Sequence, residues 1–534
     1  MKALAPLLLL LTGLPAAAQM DHARMDHSAA RSDYPNERLG TVSFANSCAG
    51  TSQAQFNRGV ALLHDFWYEE ALPQFKRIAA SDPLCAMAHW GVAISIFHEI
   101  WDRPDEESMK TGQAEIREAQ AHPAGTERER AYIDALAGFY RSGTKDYPAR
   151  IAAYAAAMGR LYDRYRGDVD AGAFYALSLM AATGPDDTTL LQNRKAMAVL
   201  KPLMAKYPDN PGVLHYVVHA CDNPAMAAEG LAAANHYGEI AQSGPHAFHM
   251  PGHIYARLGL WPQDITAQLG SIAASETAET RGESGVMDEL RSYDFLLYAC
   301  LQSGRDGCAK SVKDKILAPL ARIASMPGMG SSYMDGMVPY YSAKLPAFYA
   351  LEMRDWKAAA ALEPRAGAPP EVTDIVYWAR AVAHGHLRQP GEARADLAAL
   401  DELMVRVRQG KHAYMADGTF VKIERAEMLG WVAFATGLEA EAVRDMRVAA
   451  DLQDQVGQAE VDVPAREMLG DMLMEFGNAR RALAEYEIAL KLSPNRLNGL
   501  YNAGRAAEIA GETSMARRYY AALLKSTGNS ASST

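Results

Sequence analysis

Toward the C-terminus the chain repeats itself at a fixed interval, and a chain that does so is built from stacked units. Gly470, Ala482, Tyr486 and Ala489 return at one common offset as Gly504, Ala516, Tyr520 and Leu523, and Pro494 closes the first set. Near the N-terminus Gly59, Ala71, Phe75, Ile78 and Pro83 keep the same internal spacing. Small residues so placed let two helices cross closely, an aromatic ring fills the gap between them, and the proline ends the second helix. One such hairpin cannot bury its apolar face alone, so successive hairpins must stack. At 534 residues the chain also exceeds what a single core usually holds. From about Phe44 onward the hydrophobic pattern is helical, with no strand-type alternation.

This pattern resembles the tetratricopeptide repeat (TPR), whose period of about 34 residues is the offset from Gly470 to Gly504. The resemblance implies an all-α fold: a right-handed superhelical array of TPR-like hairpins, an α-solenoid. The repeat's usual tryptophan is missing, with Leu500 standing there in the last unit. Pro and Gly crowd together over Glu363 to Pro370, where helical periodicity lapses. We therefore expect an N-terminal array over 42–362 and a C-terminal array over 371–526.

Lys2, the apolar run Leu7 to Leu14 and the small residues Ala16 to Ala18 describe a signal peptide over 1–18, so a periplasmic or secreted, soluble protein is expected. Residues 19–41 form a polar tail with a doubled Met-Asp-His triplet, Met20 to His22 and Met25 to His27. No later apolar run is long enough to span a bilayer. A net charge of -11, without a dense Lys/Arg stripe, leaves no electrostatic footprint for nucleic acid. Export makes cysteines candidates for disulfides. Cys300 and Cys308 flank a predicted hairpin turn and Cys48 and Cys85 bracket the first unit, which leaves Cys221 as either a small core residue or a thiolate near a metal.

The chemistry concentrates between His215 and His253. Six of the 15 histidines fall there; besides His236 they form two groups, His215 and His219 at i,i+4, then His246, His249 and His253. These spacings put imidazoles on one face of a helix. His215 to His249 and His219 to His253 both repeat the offset from Gly470 to Gly504, so the same helix positions carry histidine in neighbouring units. Counting back from Pro245 places His215 and His219 on the first helix of their hairpin, which in TPR proteins lines the concave groove. Neutral imidazole is the commonest metal ligand, and four facing one space suit copper or zinc. His246 and Asp222 are expected to support the set. Asp222 is also the candidate base for a metal-bound water, and Asp294 a further ligand from a third helix. Met326, Met329, Met334 and Met337 offer either soft copper contacts or core filling. Phe66, Trp67 and Tyr68 read as packing and turn positions, with His64 and Glu69 facing the groove.

The paired pattern His-Tyr-x-x-His-x-x-Asp, at His215 to Asp222, and His-x-x-His-Met-Pro-x-His-Ile, at His246 to Ile254, resembles that of exported bacterial TPR proteins, with Cys221 standing where an aromatic residue is expected. The resemblance implies a site without naming its reaction. The leading expectation is a periplasmic metalloprotein with copper or zinc in its groove, either catalytic or metal-handling. The alternatives are an adaptor that grips a peptide or protein partner without metal, and a closed structural zinc site.

Overall fold

The computed structural model describes residues 37–528 apart from 101–102, 123–124, 142–145, 184–186, 326–330, 411–412, 414 and 457–460. The expected signal peptide, the Met20 to His27 triplets, Met326 and Met329 lie outside the described residues, and so does the side chain of Met334. What is described is all-α, a succession of TPR-like antiparallel hairpins with no β-strand among the described residues. Nor is any described helix long and apolar enough to cross a membrane.

The hairpins fall where the repeat spacing puts them: Gln53–His64 with Tyr68–Ser81, Ala465–Glu475 with Ala479–Leu492, and Leu497–Ile509 with Thr513–Thr527. A Cβ added to Gly59 would stand 2.7 Å from Phe75 Cζ, and one on Gly470 or Gly504 would stand 2.5 Å from Cε1 of Tyr486 or Tyr520. Real side chains never come so close. The missing Cβ is what lets each ring lie flat on the partner helix. Phe75 and Tyr486 are fully buried there, and a buried ring of this size contributes roughly 1.5–3 kcal/mol.

The chain forms two compact units. Among the described residues, one takes 37–254 together with Ala267–Glu289, and the other takes Tyr255–Thr266 with 290–528, including the Pro- and Gly-rich stretch 363–370. In the second unit Trp378, Trp431 and Phe434 anchor the core. A fully buried Arg496 is held there by Glu352 and Glu467, each at 2.7 Å. A buried guanidinium is tolerable only with such partners. Cys48 is joined to Cys85 and Cys300 to Cys308, while Cys221 is free and buried.

The histidines sit on two helices of similar start. Pro211–Cys221 begins with proline at its first position, where no N–H is needed, and Asn210 Oδ1 accepts the Val213 N–H at 3.0 Å as its cap. It stops at Asp222, where Asn223 Oδ1 takes the Met226 N–H and starts the turn into Ala227–Ile240. Pro245–Leu258 opens on proline again, one repeat interval after Pro211. All eleven residues of Pro211–Cys221 are buried, so its imidazoles are presented to protein and not to solvent.

Candidate metal centre

His215, His219 and His246 converge. One ring nitrogen from each lies within 4.8 Å of the others, and all three side chains are buried. Two nitrogens sharing an ion at the usual bond length are about 3.3 Å apart, so an ion would draw the rings inward by at most about 1.5 Å. The ring centroids already stand 4.6, 5.2 and 6.4 Å apart, against about 5.2 Å for imidazoles around one tetrahedral ion.

The hydrogen bonds fix which nitrogen carries the proton. His215 Nδ1 lies 2.6 Å from the backbone oxygen of His64. A carbonyl can only accept, so Nδ1 carries the hydrogen and Nε2 is left with its lone pair. That Nε2 is buried and has no hydrogen-bond partner. Burial, and next the neighbouring His246, hold the His215 imidazole well below its ordinary pKa, so it is neutral. His246 Nδ1 lies 3.1 Å from Asp288 Oδ1; a carboxylate behind the distal nitrogen is the usual support of a metal-bound imidazole.

His249 and His253 form an adjoining pair, their Nε2 atoms 3.0 Å apart. His253 Nδ1 lies 3.0 Å from Asp222 Oδ2, and His249 Nδ1 lies 2.8 Å from Gln268 Oε1. Burial, then His253, keeps His249 well below the ordinary imidazole range. The nitrogens of His215, His219 and His246 form the tightest group, and the His249–His253 pair adjoins it, the His246 and His249 ring centroids lying 6.0 Å apart. Asp222 orients His253.

The remaining residues singled out from the sequence have other duties. Asp294 is ion-paired with Lys344 at 2.5 Å, both side chains buried, and its charge is neutralised there. His64 lies between Tyr216 Oη at 3.0 Å and Asp170 Oδ1 at 3.1 Å, and its backbone oxygen takes the His215 Nδ1–H. Gly212, the position equivalent to His246 one unit earlier, leaves room for that ring, since a Cβ there would be 2.3 Å from His64 Nδ1. Cys221 Sγ faces Met197 Sδ at 3.6 Å, and burial pushes its thiol up to about 12, so it is a core thiol and not a thiolate. Met337 is fully buried. Glu69 is partly exposed.

Sequence reasoning missed the surroundings of the imidazoles. Phe66 packs its ring against His215, His219 and His246 at 4.4, 5.3 and 5.7 Å. Tyr237 stacks on His215 at 5.1 Å and donates its hydroxyl to Asp65 Oδ1 at 2.7 Å. Burial raises the Asp65 carboxyl well above the ordinary range, and its second oxygen is buried without a partner. Asp288 and Gln268 stand 42 and 19 residues from the histidines they hold, at no repeat offset.

No protein-family model matches this chain, and no curated protein does. Among solved structures, the human IFIT1 dimer with m7Gppp-AAAA is 11% identical over 82% of this chain and 90% of that one, with a TM-score of 0.35. The human IFIT1 dimer with PPP-AAAA gives 12%, 88%, 88% and 0.32, and the yeast Tom70 crystal structure 10%, 87%, 89% and 0.31.

Proposed function

We propose that this is a metalloprotein in which His215, His219 and His246 hold one transition-metal ion, copper or zinc. The observation that carries the reading is the His215 side chain: its Nδ1–H is given to a backbone carbonyl, and its buried Nε2 lone pair has no hydrogen-bond partner. Leaving a buried acceptor unmet costs roughly 1–3 kcal/mol, a penalty that an ion at that nitrogen removes. Two further buried imidazoles within 4.8 Å supply the other donors, and imidazole suits both metals. His249 and His253, with Asp222 and Gln268, form the wall beside them. The leader-like N-terminus supports export to the periplasm or out of the cell.

Titration of metal-free protein with zinc or copper(I) against a competing chelator tests this. His215→Ala, His219→Ala and His246→Ala should each abolish tight binding, while His249→Ala should weaken it less. Equal retention of metal in the three triad variants would remove the reading and favour an adaptor whose groove grips a peptide.

A further inference from the structure

One turn residue is out of keeping with the others. Several helical hairpins here close with the same pair of backbone hydrogen bonds, from the turn residue to the carbonyl three back and from the next residue to the carbonyl five back. At Gly259, Gly304, Gly437, Gly477 and Gly511 the turn residue is glycine with positive φ, from 63° to 83°. Phe66 occupies the equivalent place after Gln53–His64: its N–H goes to Leu63 O at 3.1 Å, the Trp67 N–H goes to Leu62 O at 2.9 Å, and its φ is 55°. A bulky residue in that conformation is an outlier. Arg354 and Arg388 also stand at such turns, and both are at least partly exposed. Phe66 is 2% exposed.

Its ring is directed at the three imidazoles. With the His215, His219 and His246 rings it forms a cluster in which all six centroid separations lie between 4.4 and 6.4 Å. Three corners of that tetrahedron are nitrogen donors. The fourth is a phenyl ring, which has no lone pair to give.

We propose that Phe66 stands in the place of a fourth ligand and makes the centre select copper(I) over zinc. The inference rests on the three-histidine reading above and adds the identity of the ion. Protein zinc sites are almost always four-coordinate, three protein donors being completed by water or substrate. A site whose fourth corner is apolar denies zinc that ligand. Copper(I) is soft and monovalent, so it accepts three neutral imidazoles more readily and carries half the charge into a buried, uncharged donor set. The unfavourable backbone at Phe66 is retained because the ring defines the coordination number.

The test compares parent, Phe66→Gly and Phe66→Leu by chelator competition with zinc and, anaerobically, with copper(I). Glycine is the residue that this turn prefers, so the backbone survives while the ring goes. We expect Phe66→Gly to bind zinc at least about tenfold tighter than the parent with copper(I) affinity little changed, and Phe66→Leu to resemble the parent. Equal changes for both ions, or no change for either, would reduce Phe66 to a packing residue and overturn the inference while leaving the metal site standing. Failure of the parent to bind either ion would overturn both.

Discussion

Asp288 offers a sharp probe of the centre because it supports a ligand without being one. Its Oδ1 takes the Nδ1–H of His246 at 3.1 Å, which fixes the tautomer and leaves the lone pair on Nε2 for an ion. Asp288→Ala removes the acceptor and its charge. His246 can then move its proton to Nε2, and that tautomer cannot bind an ion. Loss of such a supporting group typically costs 10–100-fold in metal affinity, or about 1.4–2.7 kcal/mol. Asp288→Asn keeps an acceptor oxygen but no charge, and should fall between parent and Asp288→Ala. The assay is competition of the metal-free proteins against a chelator of known affinity, with helical content checked by circular dichroism. Parent-like affinity in Asp288→Ala, at unchanged helicity, would refute the assignment of His246 as a ligand.

Three other outcomes follow from the geometry. Asp294→Asn should leave metal content unchanged but lower stability by about 3–5 kcal/mol in a urea titration, because buried Lys344 loses its counter-charge. Cys221→Ala should likewise keep its metal in a chelator titration, since the thiol faces Met197; lost metal would return Cys221 to the ligand set. Glu70 gives a pH signature: burial pushes its carboxyl up to about 7 against the opposing Ser284 N–H. Between 4.5 and 7 the folded protein then holds a proton that the unfolded chain lacks, so this group's contribution falls as pH rises. The loss should reach about 3 kcal/mol above pH 7. Glu70→Gln removes the effect, so its stability relative to the parent should grow by about that amount from pH 4.5 to about pH 8; a constant difference would refute the shift.

Much of the fold was legible because its determinants are local and periodic. The pairing of Gly470 with Tyr486, and of Gly59 with Phe75, follows from one interval repeated along the chain. The two histidine-bearing helices were legible too, Pro211 and Pro245 starting them one repeat apart. Which imidazoles would meet was not. Equivalent positions on neighbouring helices project in the same direction from axes roughly 8–10 Å apart, so they need not point at each other. His246, one helical turn before His249, reaches the His215 and His219 pair, whereas His249 and His253 meet on their own helix. Phe66, Asp288 and Tyr237 come from a turn and from other helices, and no local spacing ties them to the site. For Phe66 one signal was present: aligning the hairpin turns puts a phenylalanine where Gly477 and Gly511 stand.

The most direct test is elemental analysis of the protein made with its own N-terminus and without a polyhistidine tag, beside a His215→Ala/His246→Ala double variant of intact helical content. Copper or zinc near one per chain is expected in the parent and none in the variant. A metal-free parent that also takes up neither ion at micromolar concentration would contradict that expectation.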